Sequence, residues 1–244
     1  MHSTAILTVF ATTLLGLVNG QTTTDPVTGT LGNASVVENN PPNVVYVATL
    51  PTTEFFNPKD PRGNVKGSVT AQANANGIGI TIDVKFSNLP TSGGPFLYHL
   101  HDQPVPADGN CTSTLGHLDP FIRGETPACN SSLSQTCQVG DLSGKHGKIT
   151  SDPFIATYAD DFASTTPGLG SFFGNRSIVV HFGNKTRITC ANFMLAAATN
   201  ATQMNATATG APVQYTGLGG AGSVGVERGM MALVVMGLAG VFVL

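Results

Sequence analysis

The sequence predicts an all-β fold, a Greek-key sandwich or barrel, with a disordered leader before it and a stalk after it. Between Val44 and Phe193, β-branched and aromatic runs of strand length recur, each bounded by Gly, Pro, Asn or Ser. No amphipathic helix of respectable length interrupts them, and one long connection, Pro104 to about Thr136, shows no periodicity at all. Short strands, frequent turn signals and a single long loop are the pattern of an antiparallel β domain.

The elements follow in order. Residues 1–20 hold an apolar core, Ala5 to Val18, closed by Asn19 and Gly20, which reads as a secretory signal peptide. Residues 21–43 are rich in Thr, Asn, Gly and Pro with little to bury, and read as a disordered leader. The domain itself spans 44–194. Val44 to Leu50 is a β-branched run. Val65 to Ala73 alternates, Asn74-Ala75-Asn76-Gly77 supplies an Asn-Gly turn, and Ile80, Ile82, Val84 and Phe86 alternate with polar residues, so the pair reads as a hairpin. A Gly93-Gly94-Pro95 turn leads into Phe96-Leu97-Tyr98-His99-Leu100-His101, and further strands are expected at 154–158, 177–182 and 187–193.

Residues 195–220 turn to Thr, Ala, Asn and Gly and read as a glycosylated stalk. Residues 221–244 end in an apolar run from Met230 that is shorter than the roughly 20 residues a membrane span needs. Small residues, a spacer with Glu227 and Arg228, and that tail are the parts of a GPI-anchor signal, with Gly219 or Gly220 as the attachment residue. The mature chain would then be tethered to the plasma membrane by lipid, at the cell surface and cell wall. Seven Asn-X-Ser/Thr sequons agree with export: Asn33, Asn110, Asn130, Asn175, Asn184, Asn200 and Asn205. The four cysteines, Cys111, Cys129, Cys137 and Cys190, suit two disulfides in an oxidising compartment, with three pairings open. A net charge of -3 without a basic cluster excludes nucleic acid as an implied partner.

His99 and His101 sit two apart in a strand-like run, so alternation points both imidazoles to one face. His117 and His181 lie in or beside the same loop and strands, and four imidazoles suit a tetragonal Cu(II) site. His146, in a Gly-bounded stretch, reads as an exposed turn residue, and Asp102 and Asp119 as solvated neighbours of histidines. There is no Gly-X-Ser-X-Gly elbow, Walker loop or His-Glu-X-X-His, which leaves hydrolase readings without support.

His99-Leu100-His101, then Cys111 with Gly116-His117, then Val139-Gly140-Asp141-Leu142, then Val179-Val180-His181, then Arg187 and Cys190 form an ordered series. In this series the sequence resembles the copper/zinc superoxide dismutases, and more closely their secreted fungal copper-only branch. The resemblance implies one copper per chain held by His99, His101, His117 and His181. It implies a Cys111–Cys190 disulfide, which leaves Cys129 to pair with Cys137. Superoxide would be the substrate, converted to dioxygen and hydrogen peroxide by Cu(II)/Cu(I) cycling, with Arg187 guiding the anion and His117 donating a proton.

The departures from that family carry equal information. No histidine occurs between His117 and His146, Gln138 stands where zinc-containing members have a histidine, and Asp141 keeps the place of their aspartate. Zinc is therefore not expected. Asp141 is then expected to orient the free nitrogen of His117. Only Phe182 to Thr186 separate His181 from Arg187, so the copper should be open to solvent and charge focusing should fall to Arg187 and Lys185. A monomer is expected. The competing reading is a non-enzymatic copper-binding cell-wall module on the same fold.

Overall fold

The computed structural model describes residues 26–56 and 62–196. The expected signal peptide, the stalk with Asn200 and Asn205, and the anchor site at Gly219 or Gly220 lie outside these residues. The described residues form eight strands: β1 (Val45–Thr49), β2 (Lys66–Ala73), β3 (Ile80–Ser87), β4 (Leu97–His101), β5 (Phe154–Asp160), β6 (Ser177–His181), β7 (Arg187–Asn192) and β8 (Met194–Leu195). One short helix, α1 (Leu142–His146), follows the long loop.

The strands make two antiparallel sheets, ordered β5-β3-β2-β1-β8 and β4-β6-β7. The chain crosses between them at β3–β4, β4–β5, β5–β6 and β7–β8, which is the crossing pattern of a Greek-key sandwich. The expected hairpin is formed, with β2 and β3 paired from Lys66↔Ser87 to Ala73↔Ile80. Its alternation places Ile80, Ile82, Val84 and Phe86 inside, against Val69 and Ala71 of the same sheet and Tyr98, Leu100, Ile178 and Val180 of the other. Each large apolar side chain buried this way contributes roughly 1.5–3 kcal/mol. The run expected as one strand to Phe193 divides after Asn192, and Met194–Leu195 crosses to pair with Tyr46 and Val47 of β1.

β4 and β6 are buried on both faces, because the long loop covers the face that turns away from the core. A three-way junction seats that loop. Leu100 N bonds Gly140 O (3.0 Å), Gly140 N bonds Leu118 O (2.8 Å) and Leu118 N bonds Leu100 O (2.9 Å). Only glycine fits at 140, since a Cβ there would lie 2.2 Å from Leu100 O. Two disulfides tie the loop further: Cys111 to Cys190 of β7, across 79 residues, and Cys129 to Cys137 within it.

The stretch expected as a disordered leader is, from Pro26 on, a packed strap. Thr28 N bonds Thr126 O (3.1 Å), Thr30 N bonds Ile122 O (2.8 Å), Ala34 N bonds Gln135 O (2.8 Å) and Val37 N bonds Asp161 O (2.7 Å). Buried Asn40 closes it, donating to Gly79 O (2.9 Å) and accepting from Thr165 N (2.9 Å). Backbone hydrogen bonds to loops hold this segment, so its polar composition does not prevent order.

His146 is also placed differently from its expectation. It is half-buried, stacked on Tyr158 with ring centroids 4.0 Å apart, and its Nε2 lies 2.8 Å from Asp160. Fully buried Asp160 also takes the Lys145 ammonium, which donates as well to Val139 O at 2.9 Å. Burial by itself would raise the Asp160 carboxyl, but the Lys145 charge and the His146 hydrogen bond outweigh it and hold the group below its ordinary 3.8.

Candidate metal centre

His99 and His101 project from β4 onto the face covered by the loop, and register brings His181 beside them, because β4 and β6 pair Leu97↔His181 and His99↔Val179. The nitrogens of His99, His101 and His181 lie within 4.8 Å of one another, all buried. His117 reaches the cluster through an isolated bridge to His101, and its ring sits 4.0 Å from that of His99 and 5.4 Å from that of His101.

The outer hydrogen bonds of these rings set which nitrogen faces inward. His101 Nδ1 donates to Leu115 O (2.9 Å) and lies 3.1 Å from Thr114 Oγ1. His181 Nδ1 donates to Lys185 O (3.0 Å). Their Nε2 atoms then face each other at 3.2 Å, and each carries a lone pair. His99 is turned the other way: its Nε2 lies 3.5 Å from Asp141 Oδ1, and its buried Nδ1 has no hydrogen-bond partner. Burial and the neighbouring imidazoles keep the cluster neutral, lowering His99 well below its ordinary 6.5, His101 to about 2 and His181 to about 4. Neutral imidazoles with inward lone pairs are the form that binds a metal ion. The orphaned Nδ1 of His99 and the facing pair of Nε2 atoms therefore fit a cation that prefers nitrogen ligands.

His117 departs from its expected partner. Its Nδ1 lies 2.6 Å from Gln138 Oε1, whereas Asp141 caps α1 by accepting Gly144 N at 2.8 Å and faces His99. Sequence reasoning missed the group that orients Gln138: its Nε2 donates to Asp119 Oδ2 at 3.0 Å. Asp119, expected as solvated, also accepts Gly124 N (2.8 Å) and Arg123 N (2.9 Å). Asp102 is likewise engaged, 3.2 Å from Arg176. Because the Gln138 amide donates to a carboxylate, its oxygen is the end that meets His117.

The rings floor a cleft of about 820 Å³. Arg187 lies at its wall, with Nη1 donating to Thr112 O (3.3 Å) and Nη2 to Leu115 O, the carbonyl that also holds His101. Lys185 is not a free charge at the rim: its ammonium pairs with Glu125 at 2.8 Å. Glu125 had no motif to single it out in the sequence.

A search of protein-family models finds no match. The chain is 42% identical over 185 residues to a cell surface Cu-only superoxide dismutase of Arthroderma benhamiae, covering 64% of this chain and 48% of that protein. It is 38% identical over 141 residues to the cell surface Cu-only superoxide dismutase 5 of Candida albicans, covering 56% of this chain and 58% of that one. The chain thus spans about half the length of the curated relatives it matches. The solved Cu(II) form of Candida albicans superoxide dismutase 5 superposes with a TM-score of 0.55 at 32% identity, over 65% of this chain and 96% of that one. With the ordered histidines, the sandwich and this near-complete cover of a solved relative, the chain belongs to the copper-only superoxide dismutase family.

Proposed function

We propose that this protein is a cell-surface, copper-dependent superoxide dismutase that converts two superoxide ions and two protons into dioxygen and hydrogen peroxide. The observation that carries the reading is the buried, unpartnered Nδ1 of His99 beside the facing Nε2 atoms of His101 and His181. His99 would offer Nδ1, and His101, His117 and His181 would offer Nε2, to one copper. Copper held there would supply the one-electron chemistry by which one superoxide is oxidised and a second reduced. The guanidinium of Arg187, fixed by two carbonyls, places a permanent positive charge beside His101 and draws the anion to the floor of the cleft. His117, its Nδ1 held by Gln138, would give the product a proton from Nε2 only when that nitrogen is not bound to the metal. A zinc ion has no place in this reading, because Gln138 occupies His117 Nδ1.

The same reading makes the chain a secreted monomer, tethered through a GPI lipid at Gly219 or Gly220 and in contact with wall glycan. Its release from intact cells by a phosphatidylinositol-specific phospholipase checks the tether. The test of the activity is the decay of pulse-generated superoxide with the secreted protein carrying one copper and no zinc. A rate of about 10⁸–10⁹ M⁻¹s⁻¹ is expected. Tight copper binding without acceleration would overturn it and leave the copper-binding wall module.

A further inference from the structure

Sequons at Asn33, Asn110, Asn130, Asn175 and Asn184 fall among the described residues, and the structure separates them. Asn110, Asn130 and Asn184 share one local geometry, in which the side-chain Oδ1 accepts the N–H two residues on: Thr112 (2.9 Å), Ser132 (3.0 Å) and Thr186 (3.1 Å). That turn occupies the oxygen and leaves Nδ2, the atom that takes the sugar, pointing away from it. Asn130 and Asn184 are exposed and Asn110 is half-buried. Asn175, by contrast, is half-buried and followed by Arg176 and Ser177, which are buried at the start of β6.

The three share a second property. Thr112, Cys129 and Thr186, each within a sequon or next to one, line the cleft above the histidines. The β6–β7 connection, Phe182 to Thr186 alone, adds no long cover to this cleft. An N-linked glycan is bulky and hydrated, and superoxide has two atoms.

We propose that glycans on Asn184 and Asn130 form a fence around the mouth of the cleft. The fence passes superoxide and small solutes and keeps macromolecular copper ligands from the metal, a task for which the short β6–β7 connection provides no protein. This rests on the copper reading above.

The experiment measures copper loss from the secreted, copper-loaded full chain to ethylenediaminetetraacetate and to a comparable aminocarboxylate chelator coupled to a large dextran. Parent protein is compared with Thr186→Ala combined with Ser132→Ala, which removes two acceptor motifs while retaining both asparagines, and with Thr186→Ser, which keeps its motif. Glycosidase trimming of the folded parent repeats the comparison without substitution. Copper loss to the dextran-bound chelator is expected to rise several-fold in the double variant and the trimmed protein. Loss to the free chelator should be unchanged, and Thr186→Ser should match the parent. Equal rates to the dextran-bound chelator, or an unmodified Asn184 in peptide mass spectra of the parent, overturn the fence. A chain that takes up no copper overturns the functional reading and the fence with it, and is recognised at the loading step.

Discussion

Two clusters of buried polar side chains lie within this one sandwich, and they differ in how many of their valences are spent. At the end of α1, Asp160 accepts Lys145 and His146 at one oxygen and Phe162 N and Ala163 N at the other, so neither carboxylate oxygen is left open. On the outer face of β4 and β6, His99 keeps an unpartnered Nδ1 and two Nε2 atoms face each other. Burying a polar group without a partner costs free energy, so the first arrangement holds the fold and the second waits for a ligand. Both clusters are largely buried and both contain histidine. The count of unmet hydrogen-bonding positions tells them apart.

Substitutions should break this contrast in opposite directions. His181→Ala removes a ligand from the open cluster, and loss of stoichiometric copper binding, with superoxide decay falling to background, is expected. Its apo form should unfold in urea near the parent midpoint. Asp160→Ala leaves the Lys145 ammonium buried without its carboxylate and should cost about 3–5 kcal/mol in urea unfolding. Copper stoichiometry in the protein that remains folded should be unaffected.

The pH dependence separates the clusters again. His181, with a folded value of about 4 against an ordinary 6.5, binds fewer protons folded than unfolded between those limits. Apo-protein stability is therefore full above pH 6.5 and falls as the pH drops toward 4, which a Tm series on the metal-free chain will read. Asp160 is held below 3.8, so its contribution is present above that value and fades only under stronger acid. A flat apo Tm across the upper window would show that the imidazoles are not held neutral. The smallest effect is expected at Gln138→Leu, which frees His117 Nδ1 and should weaken copper binding about 10–100-fold while leaving the fold intact. Competition with a chelator of known affinity measures it.

The strand pattern was legible because alternation is a strong signal: Ile80, Ile82, Val84 and Phe86 face the core as read, and the spacing of His99 and His101 puts both on one face. The His181 position beside them followed from the order of motifs. Gln138 and Asp141 could not be told apart by spacing, because the choice depends on α1, whose first turn takes Asp141 as its cap. The strap from Pro26 to Asn40 was missed because it has neither period nor apolar bulk and draws its order from backbone partners far along the chain. His146 was misread for a related reason: its partners, Tyr158 and Asp160, lie on a strand that no local pattern ties to it.

The strap also bears on the order of events during folding. Several of its bonds join residues 92 to 125 positions apart, as at Thr30 with Ile122 and Asn40 with Thr165. Closing such long loops is slow, so the first part of the domain to be synthesised is among the last to find its place. Until it does, the loop segment around Ile122 to Thr126, with Glu125 at the lip of the cleft, lacks the backbone that braces it. A nascent chain can thus complete both sheets while its cleft is still unfinished, and the N-terminal segment acts as the closing latch of assembly.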